Sequence, residues 1–307
     1  MHRAVLSVRG SDAAKLLHSL STNDVHKWLG SGAPGLAAAF LTTKGRVLAD
    51  AVLWRGDDES EVFVDCPAAQ SAALLRHLKM YKLRSSVKLA ARDDLEVATF
   101  SSAAAAEAPG AVLAGGADPR TALLGGRGVA AAGGGPREAA SEYARRRLAL
   151  GVAEGPEVVG RIPLNCNLEL LNYVAFDKGC YLGQELTARA KFRGEVRRRL
   201  MPVALQDSDG AVLHSAARAL PPPDPVPDVP PLAGGLPDVG AKLVAGKKAV
   251  GELVAVDAAS SVAVAMLKLD FALSGEVLDV DVEGGQGVKA SPYVPPWWPV
   301  DVLENAD

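Results

Sequence analysis

Cysteine is scarce in this chain of 307 residues: Cys66, Cys166 and Cys180 are all there is, and no two form a CxxC pair. That excludes the even-numbered disulfide framework of a small secreted scaffold and favours a reducing compartment. Long apolar runs are missing too; none approaches the roughly 18 residues that a membrane-spanning helix needs. Neither sign of charge dominates. With 33 Lys and Arg against 36 Asp and Glu, the net charge is −3, which argues against a dedicated nucleic-acid binder. Aromatic residues are only 5%. The segment from Met1 to Ser11 has no apolar signal core and reads as neither a signal peptide nor a complete transit peptide. What is present is apolar residue in quantity, 49% of the chain, enough to bury a core without covalent staples. At roughly 100–200 residues per domain, two or three domains are expected.

Alternation over residues 3–9 predicts a strand, and Ser11-Asp12 opens an amphipathic helix carrying Leu16, Leu17 and Leu20. The stretch GLAAAFLTTKGRVLADAVLWR, residues 35–55, reads as two strands joined by a turn at Lys44-Gly45. A short strand over Glu61–Asp65, a helix over Ala68–Lys79 and further strands at 87–89 and 95–100 follow. One more strand is expected at Ala111–Leu113. Helices are predicted from Ser141 to Leu150 and from Gly183-Gln184-Glu185 onward. Strands and helices mix without steady alternation, so the expectation is α+β rather than a doubly wound sheet. Eight of the twenty prolines fall between Pro221 and Pro237, which marks an insertion or linker, since proline cannot donate to a ladder. Beyond it, short alternating strands separated by Gly, Lys and Ser predict a small antiparallel barrel or sandwich. The terminal Pro-Pro-Trp-Trp-Pro run, residues 295–299, is expected to pack back on a domain.

One stretch carries chemistry: Asp177-Lys178-Gly179-Cys180-Tyr181-Leu182-Gly183-Gln184-Glu185, continuing to Arg189. Glycines on both sides limit steric cover over the sulfur. Lys178 and the start of the next helix both favour the thiolate, the nucleophilic and metal-binding form. A buried structural cysteine is an equally good reading of the residues alone. Directly behind lies a basic run of Arg189, Lys191, Arg193, Arg197, Arg198 and Arg199. Residues 178–199 hold seven basic side chains against Glu185 and Glu195, a net +5, which leaves −8 for the rest of the chain. Such a run is a solvated face or an anion and partner contact. The histidines show no metal-ligand spacing.

The KGCYLGQE run, with TAR and GEVRRRLMPV after it, resembles the signature of the folate-binding YgfZ family, relatives of the glycine-cleavage T protein. LSVRGSDAAKLLHSLSTNDV, TTKGRVLADAVLW, YKLRSSVKL, DPRTALLGGR and YARRRLALGVAEGPEV match in order; the proline-rich and alanine-rich stretches do not. Trp297-Trp298-Pro299 resembles the mitochondrial branch, which acts late in [4Fe–4S] maturation. The resemblance implies a three-domain cloverleaf with two α+β domains and a C-terminal antiparallel β-barrel. Residues 1–45 with 136–200 are expected in one domain, 46–135 in the second, and 201–307 in the barrel, with the proline-rich insertion at about 207–237.

The resemblance also implies a function. Cys180 would contribute to a [2Fe–2S] cluster shared with an A-type (IscA-like) carrier, for delivery to [4Fe–4S] client proteins. Lys178, Gly179, Tyr181, Gly183, Gln184, Glu185 and Arg189 would shape the loop around the sulfur. Lys191, Arg197, Arg198 and Arg199 would form a basic contact run. A [2Fe–2S] cluster takes about four protein ligands, so a chain with three dispersed cysteines points to a partner. The transferase relatives hold tetrahydrofolate in a central cavity, for which Asp50, Asn165 and Arg193 are the candidate residues here. Asn165 stands where the enzyme has a pterin-binding glutamate and loses its charge-assisted hydrogen bonds. Ala49-Asp50 retains one carboxylate of an acidic pair. The implied role is therefore a non-catalytic assembly factor, monomeric alone, without nucleic acid or a membrane span. Its expected place is the mitochondrial matrix, with a plastid or bacterial cytoplasm as the alternative. A tetrahydrofolate-dependent aminomethyltransferase and a redox-active thiol protein are the rival readings.

Overall fold

The computed structural model describes residues 2–56, 58, 60–108, 110, 112–134, 137–207, 232, 235–257, 259–281 and 287–299. The expected proline-rich insertion thus lies almost wholly outside the described residues. Two compact units divide the chain. Met1–Tyr143, Glu154–Leu164 and Leu171–Gly194 form the first; Ala144–Ala153, Asn165–Leu170 and Glu195–Asp307 form the second.

The first unit opens with β1 (Arg3–Arg9), α1 (Ala13–Leu20), α2 (Val25–Leu29), β2 (Gly35–Leu41), β3 (Val47–Arg55), β4 (Glu61–Pro67), α3 (Ala68–Lys82) and β5 (Lys88–Ala91). The strands form one antiparallel sheet in the order β2-β3-β4-β1-β5. β2, β3 and β4 are buried almost without interruption, because both faces of the sheet are covered. Leu6, Val8, Phe40, Leu53 and Val64 pack against Leu16, Leu17 and Leu20 of α1 and Leu74 and Leu78 of α3. On the opposite face Val5, Val52, Trp54 and Phe63 meet Leu95 and Val129 of a second sheet. That sheet comprises β6 (Leu95–Phe100), β7 (Ala114–Ala117) and β8 (Gly126–Ala131), ordered β6-β8-β7, with α4 (Ala103–Glu107) between its first two strands. Of the strand expected at Ala111–Leu113, Ala111 lies outside the described residues, and the strand observed here is β7 at Ala114–Ala117.

The boundary expected after residue 45 falls at the tip of the β2–β3 hairpin, inside one sheet. Segments 1–45 and 46–91 are interleaved there, since β1 pairs with both β4 and β5. α5 (Ala140–Ala149) and α6 (Gln184–Phe192) follow, close to their predicted bounds. No helix among the described residues is long and apolar enough to cross a membrane.

In the second unit β9 (Arg198–Gln206), β10 (Lys242–Ala245), β11 (Lys248–Asp257), β12 (Val262–Lys268), β13 (Leu278–Asp281) and β14 (Lys289–Pro292) close into an antiparallel barrel, with α7 (Leu269–Leu273) after β12. Alternate residues turn inward, as the period of a strand requires: Met201, Val203 and Leu205 from β9 meet Ala263, Ala265 and Leu267 from β12. The terminal tryptophans pack back as expected. Trp298 joins the barrel core, and the Trp297 indole N–H donates to the Leu150 carbonyl at 2.7 Å.

Candidate functional site

Of the three cysteines, Cys66 and Cys166 are buried and Cys180 is exposed. Burial pushes the Cys66 thiol up to about 12, which keeps it protonated and unreactive. Cys180 sits in the first unit, at the tip of a loop between Asp177 and the start of α6, and three anchors hold that loop.

Lys178 is the first anchor. Its ammonium donates to the carbonyls of His18 at 2.5 Å, Ser21 at 2.7 Å and Asn23 at 2.9 Å, where the C-terminal end of α1 leaves carbonyls unpaired and favours a cation. All three donors of the ammonium are thus taken, and desolvation by burial draws Lys178 down to about 8. Of the two parts expected of Lys178, favouring the thiolate and shaping the loop, its ammonium contacts are those of the second. Leu182 is the second anchor, its N–H donating to the Ser19 carbonyl at 3.1 Å and its side chain packing on the helical core. The third is steric. Gly183, in the left-handed region at φ +80°, caps α6 so close to the β2–β3 turn that a Cβ would lie 2.4 Å from the Thr42 carbonyl oxygen. Gln184 tightens the arrangement by accepting the Tyr181 N–H at 2.7 Å.

Gly179 and Cys180 are left in solvent, and a Cβ on Gly179 would meet nothing within 4 Å. The two glycines should therefore respond differently. Gly183→Ala is expected to cost at least about 2 kcal/mol through backbone strain and the clash. Gly179→Ala should stay within about 0.5 kcal/mol of the native protein. Urea denaturation of both variants checks this.

The other predicted residues separate. Glu185, Arg189, Lys191 and Arg193 are exposed on or just after α6 in the first unit. Arg197 and Arg198 are exposed in the second, with Arg197 paired to Glu195 at 3.0 Å. Arg199 departs from the expected contact run. As the second residue of β9 it turns inward and is only 6% exposed. Its guanidinium pairs with Glu169 at 2.6 Å, donates to Asn167 at 3.1 Å and lies 5.7 Å over the Trp298 ring.

Asp50, expected in a folate cavity, is instead 1% exposed. Its carboxylate accepts from Arg3 at 2.6 Å and from the Gly155 N–H at 2.7 Å. Asn165 is half-buried in the second unit, within the 3-10 turn Pro163–Cys166. Arg193 lines a surface depression on α6 that Asp50 does not touch.

Around Asp50 lies a buried charge network that sequence reasoning missed. Asp65 bridges Arg3 and Arg127 at 2.6 Å each. Glu154 accepts from Arg120 and from the Tyr143 hydroxyl, and Arg120 also pairs with Asp118 at 2.6 Å. The available signal was a carboxylate in the middle of a largely apolar strand, Asp50 in VLADAVLW and Asp65 in EVFVDCP; a charge there must find a partner. The His18 and His26 rings lie with centroids 4.5 Å apart, tilted 39° to one another. No set of three His, Cys, Asp or Glu among the described residues is placed to hold a metal.

Mixed α/β sheets followed by a closed six-stranded barrel define a protein of the glycine-cleavage T-protein fold. The crystal structure of glycine cleavage system aminomethyltransferase T from Bartonella henselae matches with a TM-score of 0.67, over 97% of this chain and 84% of that one. At 15% identity the likeness shows fold alone. Residues 197–300 match the family described as CAF17, C-terminal beta-barrel domain.

The sequence is more specific. Human iron–sulfur cluster assembly factor IBA57, mitochondrial, is 37% identical over 232 residues, 67% of this chain and 65% of the relative. The Mus musculus protein of that name is 32% identical over 326 residues, 97% of this chain and 84% of its own. The Neurospora crassa homolog is 34% identical over 230 residues, 66% of this chain and 52% of its own. The chain thus spans slightly less than two thirds of the human relative and about half of the fungal one. It belongs to the IBA57 family of iron–sulfur cluster assembly factors.

Proposed function

We propose that this chain is a non-catalytic iron–sulfur assembly factor that holds one corner of a [2Fe–2S] cluster through Cys180. An A-type carrier supplies the remaining ligands, and the cluster passes on toward [4Fe–4S] client proteins. The observation that carries this reading is the Cys180 loop: a single exposed thiol on a base fastened by Lys178, Leu182 and Gly183. A cluster needs about four protein ligands. With the other two cysteines buried, the rest come from a second protein. A cargo bound through one residue on this side is readily released, as transfer requires. The relatives named as mitochondrial assembly factors support the same role and a mitochondrial setting, within which the matrix is our placement.

Folate-dependent aminomethyl transfer draws no comparable support, because Asp50, the carboxylate it would use, already accepts from Arg3 and Gly155. The test is protection from alkylation. In the cluster-loaded mixture with the carrier, iodoacetamide should label Cys180 at least about tenfold more slowly than in the free chain, since a metal-bound thiolate is not available as nucleophile. Cys66 and Cys166 serve as buried controls. An unchanged Cys180 rate would contradict the assignment.

A further inference from the structure

We infer that the outward face of α6 is a docking surface for an apolar side chain flanked by carboxylates on the cluster-sharing carrier. The choice of carrier rests on the reading above; the surface rests on different residues. Glu185, Ala188, Arg189, Phe192 and Arg193 recur at spacings of three and four and share one helix face. Together they line a depression of about 350 Å³. Phe192 is 69% exposed, yet its ring is not loose. It meets Phe176 edge-on with centroids 5.7 Å apart, and the Lys191 ammonium lies 5.4 Å over the Phe176 ring. The helix cannot roll this face inward, because Thr187 is buried and Leu186 sits against Gly45 of the β2–β3 turn.

Charge specifies the occupant. Arg189, Lys191 and Arg193 are exposed and form no ion pair among the described residues. Arginine and phenylalanine are both enriched in protein interfaces, and arginine also among the residues that carry most of the binding energy. A partner segment that offers carboxylates to the cations and an apolar side chain to Phe192 satisfies both halves of the surface. A purely anionic ligand would use the first half and leave the second in water. Position specifies which partner. Phe176 precedes Cys180 by four residues and Phe192 closes α6, so the Phe176–Phe192 contact brackets the segment that presents the thiol. A protein bringing ligands to Cys180 would approach a segment whose two ends this aromatic contact joins.

The experiment titrates metal-free carrier, at low and at physiological salt, into the native chain and into R189E/R193E, F192A and C180S variants shown to be folded by circular dichroism. R189E/R193E should weaken binding at least about tenfold and flatten its salt dependence. F192A should weaken it about tenfold with the salt dependence kept, and C180S should bind like the native chain. A parallel titration uses a short synthetic peptide of alternating glutamate and leucine. Carrier binding that is equal for native and R189E/R193E overturns the docking surface. If the carrier fails to bind but the peptide binds the native chain and not R189E/R193E, the surface stands and the carrier reading falls. If neither binds, or if F192A changes nothing, the docking surface is overturned.

Discussion

Replacing Asp65 with alanine is expected to destabilise the protein by about 3–5 kcal/mol, the cost of breaking a buried ion pair from one side. Asp65 is fully buried and stands between two guanidinium groups, Arg3 and Arg127, each 2.6 Å from a carboxylate oxygen. Removing it leaves two cations in a desolvated interior with one fewer counter-charge. Arg3 keeps Asp50, and Arg127 keeps the Tyr143 hydroxyl at 2.7 Å, so the loss is large without being total. At about 2–4 °C per kcal/mol for a unit of this size, the melting temperature should fall by roughly 6–20 °C.

The same residue makes a pH prediction. Burial alone would raise the Asp65 pKa, but Arg127 and Arg3 outweigh it and hold the carboxyl below its usual range. As pH falls below about 4, the unfolded chain takes up this proton before the folded one does. Stability contributed by Asp65 is therefore present above about pH 4 and lost as pH falls through the depressed folded value. Asp65→Ala should show a shallower loss of stability with acid below about pH 4 than the native protein. Thermal melts of both proteins across acid pH measure the two effects together. A variant that melts within about 2 °C of native would show that the network contributes little.

The parts of the fold that were legible in the sequence are those that local pattern determines. Alternation on either side of Lys44-Gly45 announces the β2–β3 hairpin, and period-two runs between turn residues announce the barrel. The Gly-Gln-Glu start of α6 was readable for the same reason. Strand partnership was not. That β1 lies between β4 and β5 is settled by packing on two faces of a sheet, which is why a boundary after residue 45 looked natural in the sequence and cuts a hairpin in the structure. The charge network is hidden by distance. Asp65 meets residues 62 positions away on both sides, and single charges in strands look like surface until the covering layer is known. At the site, the motif singled out Cys180, but which way Lys178 and Arg199 turn follows from where α1 ends and where β9 begins. Spacing along the chain carries neither fact.

Cys180→Ser should largely abolish the shared cluster while leaving the fold intact. The thiol is exposed, and the serine side chain is slightly smaller in the same place, so stability should stay within about 0.5 kcal/mol of native. The anchors of the loop are the Lys178 ammonium, the Leu182 N–H and the Gly183 backbone, and none of them involves the sulfur. A serine hydroxyl is a harder and far more basic donor than a thiol, and so a poor iron–sulfur ligand at neutral pH; the effect on the cluster should be large where the effect on stability is small. The decisive measurement is reconstitution of a [2Fe–2S] cluster on an equimolar mixture of this chain and an A-type carrier. Iron is counted and visible absorbance recorded on the isolated heteromeric complex. One cluster per heteromer is expected with the native chain and little or none with Cys180→Ser; an identical iron content and spectrum with the variant would remove Cys180 as a ligand.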